Sequence, residues 1–161
     1  VAENGEYKFD ISEYNMQVTK LMNEISLKKN KSLKLILEPG RIIGGESGYF
    51  ICEVTDVKNR ESINFVGVNA STVQFSRPLL YPDSAKHPVI IIRDGQQVSS
   101  NNTKQTTIYG CSTYSRDIFS NKVNLPEINI GDIIVFGNAG SYSASSHSQF
   151  LGFPKPEEFF I

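Results

Sequence analysis

The sequence predicts a mainly β fold: an antiparallel β domain over residues 46–161, preceded by a single helix–strand unit in residues 1–45. Three observations carry this. Only one stretch, Ile11 to Leu27, repeats its apolar residues at helical intervals. Beyond Gly48, short strand-like runs recur between polar or glycine-bearing turns. Between these two regions stands one short apolar run, "LKLIL", ended by Pro39 and Gly40.

The helix follows from Tyr14, Val18, Leu21, Met22 and Ile25, which share a face. Ser12 is the expected N-cap, and Asp10 or Glu13 suits the positive end of the helix dipole. "KKNKS" makes a polar turn, and "LKLIL" reads as a buried strand. The later strands are "GYFICEVTDVK", "SINFVGVN", "HPVIIIRD", "TKQTTIYGCS" and "DIIVFGNAG", and "GQQVSSNNTKQ" reads as an exposed loop or hairpin tip. A lone helix–strand unit cannot cover both faces of its strand, so residues 1–45 are expected to belong to a larger parallel αβ structure that this chain lacks.

The chain has 161 residues, one ordinary domain, and 39% of them are hydrophobic, enough for a core. A net charge of -1 gives no basic surface for nucleic acid or an acidic membrane, and no apolar run reaches the ~20 residues of a membrane helix. There is no secretory leader, so a cytoplasmic location is expected. Cys52 and Cys111 show no metal spacing and are expected to be reduced thiols. A chain that begins with Val1 rather than Met is expected to be a fragment or a processed product.

The segment "LEPGR" places Glu38, Gly40 and Arg41 where the expected strand ends. In parallel αβ barrels the strand mouths carry the active site, and phosphate sites are common there. Gly40 admits a ligand close to the backbone, and Arg41 offers a planar fork for phosphate or carboxylate. Alone, the segment reads first as a turn with a surface salt bridge. It does not stand alone. "LEPGRIIGGESGYFICEVTDVK", "NASTVQFSRPLLYPDSAKHPVII", "GCSTYSRDIF" and "GDIIVFGNAGSYSASSHSQFLGFPKPEEFFI" follow in order. This ordered set resembles the C-terminal part of the fold-type III, pyridoxal-phosphate-dependent amino acid decarboxylases, the diaminopimelate/ornithine decarboxylase family.

The resemblance implies the last helix and strand of an (α/β)8 barrel, then a C-terminal antiparallel β-barrel or sandwich domain. It implies pyridoxal 5'-phosphate as cofactor, an amino acid substrate, α-decarboxylation and a homodimer. Glu38 resembles the carboxylate that holds the pyridine nitrogen. Gly40 and Arg41 resemble part of the phosphate cradle, and Tyr142 resembles the tyrosine that approaches the cofactor from the β domain. "SRPLLY" resembles the element in which Arg77 and Tyr81 bind the distal part of the substrate, Arg77 suiting an acidic group. A structural salt bridge at Arg77, a core place for Phe150 and a structural His87 and Asp117 stay open beside these roles.

"GCSTYSRD" departs from the family pattern of Gly-x-x-Cys, an acid, then x-x-Asp. With Gly110 and Asp117 aligned, Thr113 takes the place of the proton-donating cysteine and Tyr114 that of the acid, with Cys111 two residues early. A threonine hydroxyl is a poorer acid than a thiol, so Cys111 or Thr113 is the expected donor. In the family the acid helps recognise the amine end of diaminopimelate. Its replacement by Tyr114 implies a specialised biosynthetic decarboxylase with another substrate.

The cofactor-anchoring lysine, the ring-stacking histidine and the glycine-rich loop would lie earlier in the barrel. Lys20, Lys28, Lys29, Lys31 and Lys34 fall on or beside the helix and read as solvated charges, so this chain alone is expected to be inactive. The serines around His147 lack a nucleophile elbow. Two other readings remain: an amino acid racemase of the same fold, which would usually set arginine rather than Glu38 at the pyridine nitrogen, and a non-catalytic β binding module.

Overall fold

The computed structural model describes residues 9–161, so the first eight residues of the expected 1–45 unit lie outside it. Helix α1 spans Ile11–Lys29. Its N-cap is Asp10 rather than Ser12: the Asp10 carboxylate accepts from the backbone N–H of Ser12 at 2.8 Å and of Glu13 at 3.0 Å. A carboxylate also faces the positive end of the dipole, which a hydroxyl cannot match. Asn30 ends the helix in the left-handed conformation, and its N–H and that of Lys31 close on Leu27 and Ser26. No residue of α1 is buried.

The expected strand "LKLIL" does not form. Residues 31–39 are irregular and exposed, with Ile36 at 71%. A strand satisfies its backbone through neighbours, and among the described residues this run has none beside it. The apolar side chains of α1 and of this run are thus largely exposed among the described residues.

From there the chain becomes a sheet. Two short turns, α2 (Arg41–Gly44) and a 3-10 turn (Gly45–Ser47), lead into β1 (Phe50–Arg60) and β2 (Ile63–Val68). Helix α3 (Arg77–Leu80) precedes β3 (Val89–Arg93) and β4 (Gln96–Gln97). Then come β5 (Lys104–Tyr109), β6 (Ile118–Leu125) and β7 (Ile133–Phe136). The spatial order is β4-β3-β7-β1-β2-β5-β6. Its pairs are antiparallel except β2 with β5, so the sheet is mixed where an antiparallel one was expected. The long connection from β2 through α3 and the β3–β4 hairpin brings β5 back alongside β2 in the same direction. That hairpin turns at Asp94 (φ 51°) and Gly95 (φ 74°), the Asp-Gly pair a tight primed turn favours.

Alternation along β1 sends Cys52 and Val54 inward, to join Val66, Val68, Ile91, Ile108 and Ile134. Four phenylalanines stack in this core. Phe50 lies 4.9 Å from Phe75, and Phe119 lies 5.1 Å from Phe136, centroid to centroid. Asp132, 2% exposed, takes a two-pronged ion pair from Arg93 at 2.8 and 2.7 Å and the Asn129 N–H at 2.7 Å, which fixes the turn into β7. Phe136 is fully buried and touches three other rings, so Phe136→Ala is expected to cost about 4 kcal/mol, read as a lower urea midpoint at unchanged slope.

Candidate active site

The register of β1 against β7 pairs Phe50 with Phe136. The segment before β1 and the segment after β7 therefore leave the sheet side by side. Residues 40–48 meet residues 137–142 there, and glycines permit the contact. A Cβ on Gly140 would overlap the Gly44 carbonyl oxygen, and one on Gly48 would come within 2.7 Å of the Gly140 Cα. Backbone bonds lace the two together: Ala139 N–H to Gly48 O at 2.8 Å and Gly140 N–H to Gly45 O at 3.0 Å.

Three sequence-predicted residues come together at this junction. The Tyr142 hydroxyl lies over Gly40 so closely that a Cβ there would sit 2.5 Å from it. Arg41 donates to Asn138 O at 2.8 Å and to Ser141 O at 3.0 Å. Tyr142 is 61% exposed, in a turn rather than a strand, so it is not a core tyrosine. Glu38, two residues from Gly40, is exposed.

On the other side of the same turn stands His87, 7% exposed, whose Nδ1 lies 2.8 Å from Gly137 O and must carry the proton to donate to it. Its Nε2 is buried without a hydrogen-bond partner among the described residues. Burial holds the imidazole below its ordinary pKa, and the charges of Arg77 and Arg41 add to this against the bond to Gly137. Arg77 is thus within electrostatic reach of the histidine that Arg41 also senses. Its guanidinium sits 5.4 Å from the centroid of the exposed Tyr81 ring.

The second cluster is the turn after β5. Asp117, 3% exposed, accepts from Thr72 N and Oγ1, each at 2.7 Å, and from Ser112 N at 3.0 Å and Oγ at 2.5 Å. Burial pushes its carboxyl up, and these bonds outweigh it and hold it below the usual carboxylate range. Gly110 is required because a Cβ would overlap that carboxylate. The turn so pinned displays Cys111 and Thr113 to solvent. Tyr114 stands edge-on to Phe150 at 5.8 Å and 80°, and Phe150 is half exposed rather than core. Burial and the nearby Asp117 raise the Cys111 thiol, so it is protonated at neutral pH. Cys52 is buried and pushed up to about 12, and both cysteines are free. A cleft of about 700 Å³ between α3 and β6, lined by Leu79, His87, Arg116 and Phe119 among others, sets the Arg77 helix beside the end of this turn.

This geometry has known counterparts. The family description "Pyridoxal-dependent decarboxylase, C-terminal sheet domain" matches residues 9–140. The chain belongs to that family. It is 30% identical over 164 residues to a diaminopimelate decarboxylase of Buchnera aphidicola, covering 98% of this chain and 39% of the relative. It is 28% identical over 153 residues to the 2-[(L-alanin-3-ylcarbamoyl)methyl]-2-hydroxybutanedioate decarboxylase of Staphylococcus aureus, covering 92% and 38%. The crystal structure of the Helicobacter pylori diaminopimelate decarboxylase complexed with L-lysine superposes with a TM-score of 0.77 at 30% identity, over 96% of this chain and 35% of that one. The chain spans under two fifths of the length of these relatives, and the barrel part expected before the sheet domain is not in it.

Sequence reading left the junction's clamps unseen: the two carbonyls taken by Arg41 and the one taken by His87. The signal available was the glycine spacing in "PGRIIGGESG" and "GNAGS", which marks close backbone approach.

Two outcomes follow from these contacts. Asp117→Ala strips four hydrogen bonds from a buried carboxylate and leaves their donors without an acceptor, so it is expected to destabilise by about 3 kcal/mol in chemical denaturation. His87 binds its proton near pH 6.5 when unfolded and only at lower pH when folded. Its stabilising effect is therefore full above about pH 6.5 and is lost as pH falls toward the folded value. His87→Asn keeps a donor near Gly137 without titrating, and is expected to flatten the acid limb of a plot of melting temperature against pH.

Proposed function

We propose that this chain is the C-terminal portion of a homodimeric, pyridoxal-phosphate-dependent amino acid decarboxylase, and that it works only with the barrel that precedes it. The observation that carries the reading is the seating of Tyr142 over Gly40 within "LEPGR", on a family fold whose relatives are decarboxylases. The residues present fit the cofactor. Gly40 is a position a side chain would close, and Glu38 offers an exposed carboxylate two residues away. Residues 1–45 would be the tail of the barrel, which would cover the apolar side of α1.

Bound at Glu38, Gly40 and Tyr142, with Arg41 holding the turn that carries the tyrosine, pyridoxal 5'-phosphate would supply an electron sink for the pair left when carbon dioxide departs. Glu38 would keep the ring nitrogen protonated, which deepens that sink. Arg77 and Tyr81 would bind the far end of the substrate, and the Arg77 guanidinium favours an acidic group there. Cys111 would hold a proton at its sulfur, and its raised pKa keeps that proton in place at neutral pH. Thr113 stands two residues on, as the alternative donor. The Tyr114–Phe150 pair would set an aromatic wall where the family has a carboxylate, a weaker partner for a distal ammonium than an ion pair. The substrate class is therefore an amino acid with an acidic side chain, rather than diaminopimelate.

The test uses the full-length polypeptide that contains this chain. A visible band lost on borohydride reduction, with the label on a lysine before Val1, is expected. Carbon dioxide release should favour acidic amino acids over diaminopimelate. Arg77→Ala should raise KM roughly 10–100-fold with a smaller change in kcat. Absence of the band with added pyridoxal 5'-phosphate would overturn the reading.

A further inference from the structure

We infer that Arg41 is a positioning residue: its side chain holds the 137–142 turn, and through it places Tyr142 over Gly40. The inference rests on the proposed function only for what Tyr142 does there. The turn carries two non-glycine residues in the left-handed region, Asn138 at φ 57° and Tyr142 at φ 65°. Such residues persist only where the surroundings over-determine them. Here the carbonyls of Asn138 and Ser141 both accept from the Arg41 fork, at 2.8 and 3.0 Å, bracketing Ala139 and Gly140. A planar guanidinium is suited to bridging two acceptors at fixed separation, which an ammonium is not. His87 takes the carbonyl of Gly137 at 2.8 Å from the other flank. The N–H groups of Ala139 and Gly140 are bound to Gly48 and Gly45. Arg41 is thus tied at its backbone to Gly40, on which the tyrosine lies, and at its side chain to the turn that delivers the tyrosine.

The test is amide hydrogen exchange on the full-length polypeptide without cofactor, followed by a double-mutant cycle on pyridoxal 5'-phosphate affinity. Arg41→Ala should speed exchange at Ala139 and Gly140 about tenfold or more while the β7 amides Ile134 and Phe136 stay unchanged, which separates release of the turn from loss of fold. Arg41→Lys keeps the charge but not the fork and should also speed exchange. Arg41→Ala and Tyr142→Ala should each weaken affinity for pyridoxal 5'-phosphate, and the double variant should be no weaker than the weaker single one. Unchanged exchange in Arg41→Ala overturns the inference. So do additive losses in the cycle, because Arg41 would then touch the cofactor directly. Should the unaltered protein bind no pyridoxal 5'-phosphate, the proposed function fails, and exchange alone decides the positioning role.

Discussion

Gly140 rests against the carbonyl of Gly44 with no room for a side chain, and the placement of the candidate site depends on that contact. Its cause is register. Phe50 pairs with Phe136, so the chain entering β1 and the chain leaving β7 must run alongside each other beyond the sheet. Ordinary side chains would hold the two backbones apart. Glycines at 44, 48 and 140 let them touch, and the bonds from Ala139 and Gly140 then fix their offset. Gly40 and Tyr142, about a hundred residues apart in sequence, become neighbours through the sheet's own hydrogen bonding. The core enforces the register in turn, because a slip of one residue would turn Cys52, Val54 and Phe136 outward.

A second turn solves a different problem. Asp117 is a buried charge, and burial alone would neutralise it. Four donors from Thr72 and Ser112 keep it ionised and make it the hub of a rigid loop. Two consequences reach the surface. The loop presents Cys111, Thr113 and Tyr114 in fixed order, and the ionised hub disfavours a second negative charge at Cys111. A thiol held protonated is suited to giving a proton and poorly suited to nucleophilic attack.

Much of the fold was legible. Helical spacing marked α1, and the five β-rich runs became β1, β2, β3, β5 and β7. Strand β6 was not visible because a bulge interrupts its alternation: Lys122 sits at φ 53°, and the pairing with β5 slips between Thr106 and Ile108. "LKLIL" was misread because apolar composition says a residue can be buried, and only a neighbouring strand makes it one. The parallel β2–β5 pair escaped for a related reason, since pairing partners are chosen by topology and not by local pattern. In the candidate site, residues with distinctive chemistry could be singled out from sequence, and two of them, Gly40 and Tyr142, meet in the fold. The clamp could not be, because Arg41 binds backbone carbonyls, and every residue has one.

The two parts of the chain differ in how they meet water. The sheet closes its own interior: Val66, Val68, Phe75, Ile108, Ile134 and Phe136 are all fully buried, and the buried carboxylates of Asp117 and Asp132 are both hydrogen-bonded. Helix α1 and the run after it bury nothing, with Ile11 at 72%, Leu27 at 83% and Ile36 at 71% exposed. At about 25 cal/mol for each Å² of apolar surface, a helix carrying its apolar stripe in water forgoes most of the stabilisation that would hold it. Caps at Asp10 and Asn30 shape its ends but contribute only about 1 kcal/mol each. The helix must therefore draw its stability from whatever covers that stripe. Gly40 and Arg41 lie well beyond the helix and take their place from the 137–142 turn, so their seating on the sheet does not wait on the stripe being covered.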